Sequence, residues 1–334
     1  MSRPFSTRCA DAAALAVAAA LLAGCSGPQS ALDPHGPDAQ SSLTLTIVMT
    51  AGGAAIFVLV MALTAVAVLS PARGRRGLGA PAAIIAGGIA LPSVTLTALL
   101  IYGLVVARQS GGAPGEPLRI EVTGEQFWWR VRYPAGDESA AFETANEIRI
   151  PTGRPVVLDL ISADVIHSFW VPALGGKLDM IPGRTNTLRL QADRPGIYRG
   201  QCTEYCGAQH ANMAFFVVAE EPAAFAAWRA AATQAPRAPE LPQPSRGRAL
   251  FLAVGCGACH TIRGTEARGT LGPDLTGIGA RTSLAAGMFP VNAGTLAGWI
   301  ASSQHLKPGN RMPSFDTLSG ADLRAIAAYL ESLK

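Results

Sequence analysis

A chain of 334 residues leaves room for two or three folded units at the usual ~100–200 residues per domain. Charged residues make up 15% of it against ~25% in an ordinary soluble chain, and mean hydropathy is +0.27. That excludes intrinsic disorder and puts part of the chain in lipid. The net charge of +4 is too mild and too dispersed for a nucleic-acid binder. It divides unevenly: residues 1–107 hold 5 basic and 3 acidic side chains, residues 108–244 hold 13 and 15, and residues 245–334 hold 9 and 5. A basic tail therefore follows a slightly acidic middle, which predicts a weak, salt-sensitive attraction between them.

The chain opens with an export signal. Arg3 and Arg8 form a positive start, and Ala12 to Ala23 is apolar but too short to span a bilayer. Asp11 is an unusual charge for that position. The run Leu22-Ala23-Gly24-Cys25 resembles the lipobox of bacterial lipoproteins. The resemblance implies removal of residues 1–24, Cys9 with them, and acylation of Cys25. Residues 25–42 are rich in Gly, Pro, Ser and Asp and read as a tether in which His35 has no assigned role.

Residues 43–107 hold two uncharged apolar runs, Leu43–Leu69 and Ala80–Val106. Each exceeds the ~20 residues that cross a ~30 Å hydrocarbon core, where only a helix satisfies its own backbone. Arg73, Arg75 and Arg76 lie between them with no acid, so the positive-inside rule puts that link in the cytoplasm. The expectation is a multi-pass hairpin in a bacterial inner (plasma) membrane, with everything beyond it on the periplasmic side.

Residues 116–220 change to short β-type runs: Leu118–Val122, Trp128–Tyr133, Glu147–Ile150, Val156–Ile161, Thr187–Leu190 and Phe215–Val218. Pro, Gly and Asp turns separate them, which predicts an all-β sandwich or barrel. Near its end stands Cys202-Thr-Glu204-Tyr-Cys206-Gly-Ala-Gln-His210-Ala-Asn-Met213. Two thiols, an imidazole and a thioether in one loop are soft ligands, and a Met among them argues for copper in electron transfer. His167 lies 35 residues upstream, where a sandwich can bring a strand end beside that loop. A zinc site suits the spacing poorly. A Cys202–Cys206 disulfide would leave both histidines and Met213 without a role.

This stretch closely resembles subunit II of the haem–copper cytochrome c oxidases. The match includes Val165-Ile166-His167-Ser168 and Gly176-Lys177-Leu178-Asp179-Met180-Ile181-Pro182-Gly183-Arg184. It implies a cupredoxin-like domain with the binuclear copper centre CuA, its two ions bridged by Cys202 and Cys206. His167 and His210 would bind one copper each, with Met213 and the Glu204 carbonyl as weak ligands. It also implies a magnesium ion held by the Glu204 side chain at the boundary with subunit I, lined by Asp179 and Arg184. The electron-input candidates are Phe127, Trp128 and Trp129. The family's tryptophan that takes electrons from a soluble cytochrome c corresponds to Phe127, a departure from the pattern. A second departure is the lack of any acid in residues 70–115, where many members carry a glutamate at a proton path.

Residues 221–245 read as a linker, with the Pro-rich run at 232–247 semi-rigid and extended. A run of ~15 residues at ~3.1 Å each reaches roughly 45 Å and would keep a tethered domain at millimolar effective concentration. Residues 246–334 then form an all-α domain: a helix-like segment Arg246–Val254 leads into Cys256-Gly-Ala-Cys259-His260. Cys-x-x-Cys-His is a covalent haem c attachment site with His260 beneath the iron. Gly272-Pro273-Asp274-Leu275 and Asn310-Arg311-Met312-Pro313 resemble class I cytochromes c, which makes Met312 the sixth ligand. Met288 competes with it but has no following proline. Ala321–Leu333 reads as the last helix, and His305 as a surface residue.

Subunit II with a fused cytochrome c domain resembles the caa-type oxidases. The resemblance implies electron input at haem c, transfer to CuA, and delivery to subunit I, with no catalytic residue on this chain. Subunit III and an upstream donor, cytochrome c or a quinol–cytochrome c reductase, complete the implied partners. The alternatives from sequence are a CuA subunit of a nitric oxide reductase and a free-standing membrane-tethered electron carrier.

Overall fold

A computed structural model describes residues 27, 29–71, 79–109, 115–135 and 140–334. The signal at 1–24, Cys25 and the Arg73–Arg76 link lie outside the described residues.

Helix α1 spans Pro37–Leu69. Pro37 sits in its first turn, where a missing N–H costs nothing, and Asp38 complements the positive end of the helix. It stops at Ser70, which is extended because Pro71 follows. The second run starts as α2 (Pro81–Ile85), widens through a π turn (Ala86–Ala90) and continues as α3 (Leu91–Gln109). Pro92 has no N–H to return to the carbonyl one turn back, and the widened turn sits just before it. Both runs are long and apolar enough to cross a membrane, and Phe57, Val58, Ile89 and Val94 are more than half exposed, as lipid-facing side chains are.

The β domain is a sandwich of two five-stranded sheets, joined in the orders β3-β2-β1-β5-β8 and β4-β10-β9-β6-β7. The strands are β1 Leu118–Glu125, β2 Trp128–Tyr133, β3 Phe142–Ala145, β4 Glu147–Pro151, β5 Val156–Ser162, β6 His167–Trp170, β7 Leu178–Met180, β8 Asn186–Leu190, β9 Gly196–Cys202 and β10 Ala214–Glu220. Alternating Val, Ile and Leu of β1 and β5, with Trp129 of β2, face Phe169 and Phe215 across one buried core. Burying each of these large side chains contributes roughly 1.5–3 kcal/mol.

The expected tether is a docked strap. His35 donates its amide to the Ala173 carbonyl at 2.7 Å and accepts from the Asp193 amide at 2.8 Å. A Cβ added at Gly36 would collide with the Gln191 carbonyl oxygen. The Gly and Pro residues here allow a close backbone approach instead of free motion.

The expected linker is also largely folded. Helix α4, Pro222–Ala232, lays Trp228 on Tyr133 and Phe142 at ring distances of 5.3 and 5.6 Å. Helix α5 begins at Pro242, four residues ahead of the expected start, and runs to Ala253. Only residues 233–241 between them lie outside helices, with 235–240 free of any regular turn. Pro222 and Pro242 both occupy first helical turns, so they start helices where composition suggested a stretched chain. Arg263 fastens the non-helical part by donating to the carbonyls of Ala232 and Gln234.

The C-terminal domain packs α5 against α7 (Gly320–Ser332), with α6 (Ala293–Leu306) completing the core. Asn292 and Thr295 form a capping box at the start of α6, and Ser319 caps α7. Gly247 lets α5 approach the backbone of α7 at Ala325.

Candidate metal centres

The first centre lies where β6 begins and β9 ends. His167 opens β6, pairs with Met180 of β7, and is fully buried. Gly124 on β1 makes room for it: a Cβ there would lie 2.8 Å from the imidazole. Cys202 closes β9, and the loop from it to Met213 folds back so that the Cys202 amide donates to the Met213 carbonyl at 3.0 Å.

These turns bring the donors together. Cys202 Sγ is 3.9 Å from His167 Nδ1, and Cys206 Sγ is 3.6 Å from His210 Nδ1. Cys206 Sγ is 3.8 Å from Met213 Sδ, and Cys202 Sγ lies 3.2 Å from the Glu204 carbonyl oxygen. Ligand atoms of His167, Cys202 and Cys206 all lie within 4.8 Å of one another. The Cys206 thiol hydrogen-bonds Cys202 and pulls its pKa down to about 3 against the cost of burial, while the same pairing pushes Cys206 up. A buried, thiolate-prone pair ringed by two imidazoles, a thioether and a carbonyl fits a soft-metal centre such as copper.

Asp164 is a neighbour of the site that the sequence alone did not single out. Its carboxylate takes His167 Nε2 at 2.8 Å and the Gln126 amide at 2.7 Å. Burial opposes its ionisation, yet these hydrogen bonds hold Asp164 below the usual carboxylate range. It fixes the ring so that Nδ1 faces the thiols, the arrangement expected of a carboxylate behind a metal-bound histidine. The i, i+3 spacing of Asp164 and His167 was the available signal.

The three electron-input candidates separate. Trp129 is fully buried in the sandwich core, 4.9 Å ring to ring from Phe215. Trp128 carries Arg130 over its face at 4.8 Å. Phe127 abuts the copper-side loop, where a Cβ at Gly207 would fall 3.2 Å from its ring. Glu204 is exposed at the surface with Arg184, and Asp179 is half-buried.

The second centre is an apolar cavity in the α domain. Cys256, Cys259, His260 and Met312 all line it, with Leu275, Leu296, Trp299 and Leu330. His260 Nδ1 donates to the Pro273 carbonyl at 2.8 Å, leaving Nε2 for the cavity. Gly272 admits the ring, since a Cβ there would lie 2.5 Å from His260 Cε1. Met312 is held by its own amide on Asn310 Oδ1 at 2.7 Å and by Ser303 Oγ on its carbonyl at 2.9 Å. Met288 is not among the lining residues, and His305 is exposed on α6. Two free thiols, an imidazole and a thioether around an apolar space fit a covalently held haem.

The two centres share a wall. Gln126, Phe127, Trp128 and Asn146 of the β domain line the same cavity as His260 and Met312. The α domain is therefore seated on the β domain. Hydrogen bonds cross the seam from Arg130 to the Thr270 carbonyl at 2.9 Å and from the Thr282 amide to Glu147 at 2.7 Å. The Ala214 amide reaches the Ala286 carbonyl at 3.0 Å. These contacts engage backbone groups, and one ion pair, Arg311 with Asp164 at 3.9 Å, joins opposite charges across the seam.

The chain is similar to known proteins along most of its length. Residues 135–220 match the periplasmic domain of cytochrome c oxidase subunit II, and residues 244–334 match cytochrome c. The chain is 35% identical over 331 residues to cytochrome c oxidase subunit 2 of Alkalihalophilus pseudofirmus, covering 94% of each. It is 29% identical to that of Bacillus subtilis over 74% of this chain and 72% of the relative. The crystal structure of the periplasmic domain of the Bradyrhizobium japonicum subunit is similar at 34% identity and a TM-score of 0.33, covering 36% of this chain and 95% of that one. The chain belongs to the cytochrome c oxidase subunit II family, in a form that carries a fused C-terminal cytochrome c domain.

Proposed function

We propose that this component of a haem–copper oxidase receives electrons at a haem c and passes them through a binuclear copper centre to the oxygen-reducing site of subunit I, coupled to proton pumping. The observation that carries the reading is the shared wall: Phe127 and Trp128 line the cavity that holds the haem-binding side chains, and Phe127 abuts the loop of Cys206. Cys256 and Cys259 would hold the haem covalently, with His260 and Met312 as the side chains offered to its iron. Cys202, Cys206, His167, His210, Met213 and the Glu204 carbonyl would hold the copper.

When bound, the copper pair stores one electron shared over two ions and the haem relays one electron at a time. The chain's residues supply rigidity and exclude water. Asp164 orients His167, Trp129 and Phe169 pack behind the copper loop, and Asn310 pins the loop of Met312. A site whose ligands hardly move opposes electron transfer least. The Glu204 carboxylate would share a magnesium ion with subunit I. Residues 1–24 would be removed, Cys25 acylated, and the head held outside the bacterial inner membrane by a hairpin at 43–107. Subunit III and an upstream cytochrome c or quinol–cytochrome c reductase are the remaining proposed partners.

Rapid reduction of the haem, with the copper absorption followed in time, tests the relay. The transfer should be first order with a rate independent of protein concentration. A rate that rises linearly with concentration means that electrons pass between molecules, and the intramolecular relay fails.

A further inference from the structure

Three lysines occur in the sequence, Lys177, Lys307 and Lys334. Lys177 and Lys334 are exposed, whereas Lys307 is only 2% exposed. It sits at the C-terminal end of α6, with its backbone fixed by Asn310, whose side chain donates to the Lys307 carbonyl at 2.7 Å. Its ammonium crosses the seam. Nζ donates to the Phe127 carbonyl at 2.9 Å, to the Asn212 carbonyl at 2.7 Å and to the Ala285 carbonyl at 3.0 Å. Two of these acceptors belong to the β domain and one to the α domain.

An ammonium has three donors, and here all three are used. No carboxylate pairs with Lys307 among the described residues. Burying an unpaired charge is costly, and burial pushes this ammonium down to about 7. Only the full set of carbonyls offsets that cost, and the set exists only when the two domains are docked in one orientation. A half-turn of the α domain would leave one acceptor and a stranded charge. The acceptors are also well placed for function. Phe127 lines the haem cavity, and Asn212 precedes Met213. The next residue, Pro308, accepts from Gln209 of the copper-side loop at 3.0 Å.

We propose that Lys307 is the positioning residue that locks the cytochrome domain onto the copper domain in one electron-transfer geometry. The lock rests on the relay read above, but its tests separate the two. The first uses the wild-type, detergent-purified full chain with haem and copper bound. Acetylation by an amine-reactive ester, followed by mass spectrometry, should modify Lys177 and Lys334 at least about a hundredfold faster than Lys307. Equal rates with haem and copper spectra intact overturn the lock and leave the relay standing. Loss of either spectrum in the wild type would instead strike the relay.

The second test uses Lys307→Ala. Hydrogen exchange at the cross-seam amides of Ala214 and Thr282 should accelerate, and haem-to-copper transfer should slow at least about tenfold and become sensitive to solvent viscosity. Haem absorption and copper EPR should stay as in the wild type. Added ethylammonium should restore the transfer rate where tetramethylammonium does not, because only the former supplies N–H donors. Unchanged exchange and rate in the variant overturn the lock. If the variant fails to fold, the wild-type acetylation pattern decides alone.

Discussion

Cys202→Ser and Cys206→Ser are each expected to lose the binuclear copper centre and, in the assembled oxidase, to cut electron delivery to oxygen by more than ~100-fold, beyond the 10–100-fold typical of losing an outer partner. Each thiol touches a different histidine, Cys202 beside His167 and Cys206 beside His210, so neither can replace the other. A serine hydroxyl in the same place is a hard, protonated oxygen that cannot bridge two soft ions. Met213→Leu should be milder. Its thioether faces Cys206 alone at 3.8 Å, and leucine keeps the volume of a fully buried side chain. Copper content and EPR distinguish the cases: the serine variants should lose the mixed-valence signal, and the leucine variant should keep it with altered splitting. A serine variant that retains the wild-type spectrum would mean that the thiols are not the bridging ligands.

Gly247→Val is expected to unfold the cytochrome domain while leaving the copper domain intact. A Cβ at Gly247 would collide with the Ala325 carbonyl oxygen and lie 2.8 Å from Tyr329 Cβ, and the valine methyls add further overlap. Overpacking commonly costs ~1–3 kcal/mol, and more where the obstacle is backbone that can move only by parting two helices. Since α5 and α7 form the principal helix contact of this domain, haem attachment should fall to a small fraction of the wild type. Gly298→Ala in α6 is the control. Nothing lies within 4 Å of the added Cβ, so the change should be neutral or stabilising by ~0.4–1 kcal/mol. Covalent haem content by absorption, set against copper EPR of the same sample, reads both. Normal haem content in Gly247→Val would show that the helix crossing tolerates a side chain.

The features legible in the sequence were those set by local chemistry or strict periodicity. Two apolar runs gave the spanning helices, and alternation gave β2 to the residue. Ligand spacing picked out Cys202, Cys206, His210 and Met213 as one cluster with His167 at a strand end upstream, and the pairing of β6 with β9 is what brings His167 to them. Short strands escaped notice. β3 and β7 are four and three residues long, and β9 begins with Gly196 and holds Gly200, which the ring of Phe215 covers. Such strands exist because neighbours pair with them, not because of their own propensity. The docked strap and the seam were hidden for a different reason. Gly36, Pro222 and Pro242 look like flexible-linker composition, and only their tertiary surroundings show close approach and helix starts. Lys307 carried no signal at all, since a lysine before a proline reads as surface.

Copper and haem analysis of the intact wild-type chain, with EPR of its oxidised form, tests the central claim most directly. The account predicts two coppers for each covalently bound haem and a seven-line signal from an electron shared equally between two copper nuclei. One copper per haem with a four-line mononuclear spectrum would contradict it.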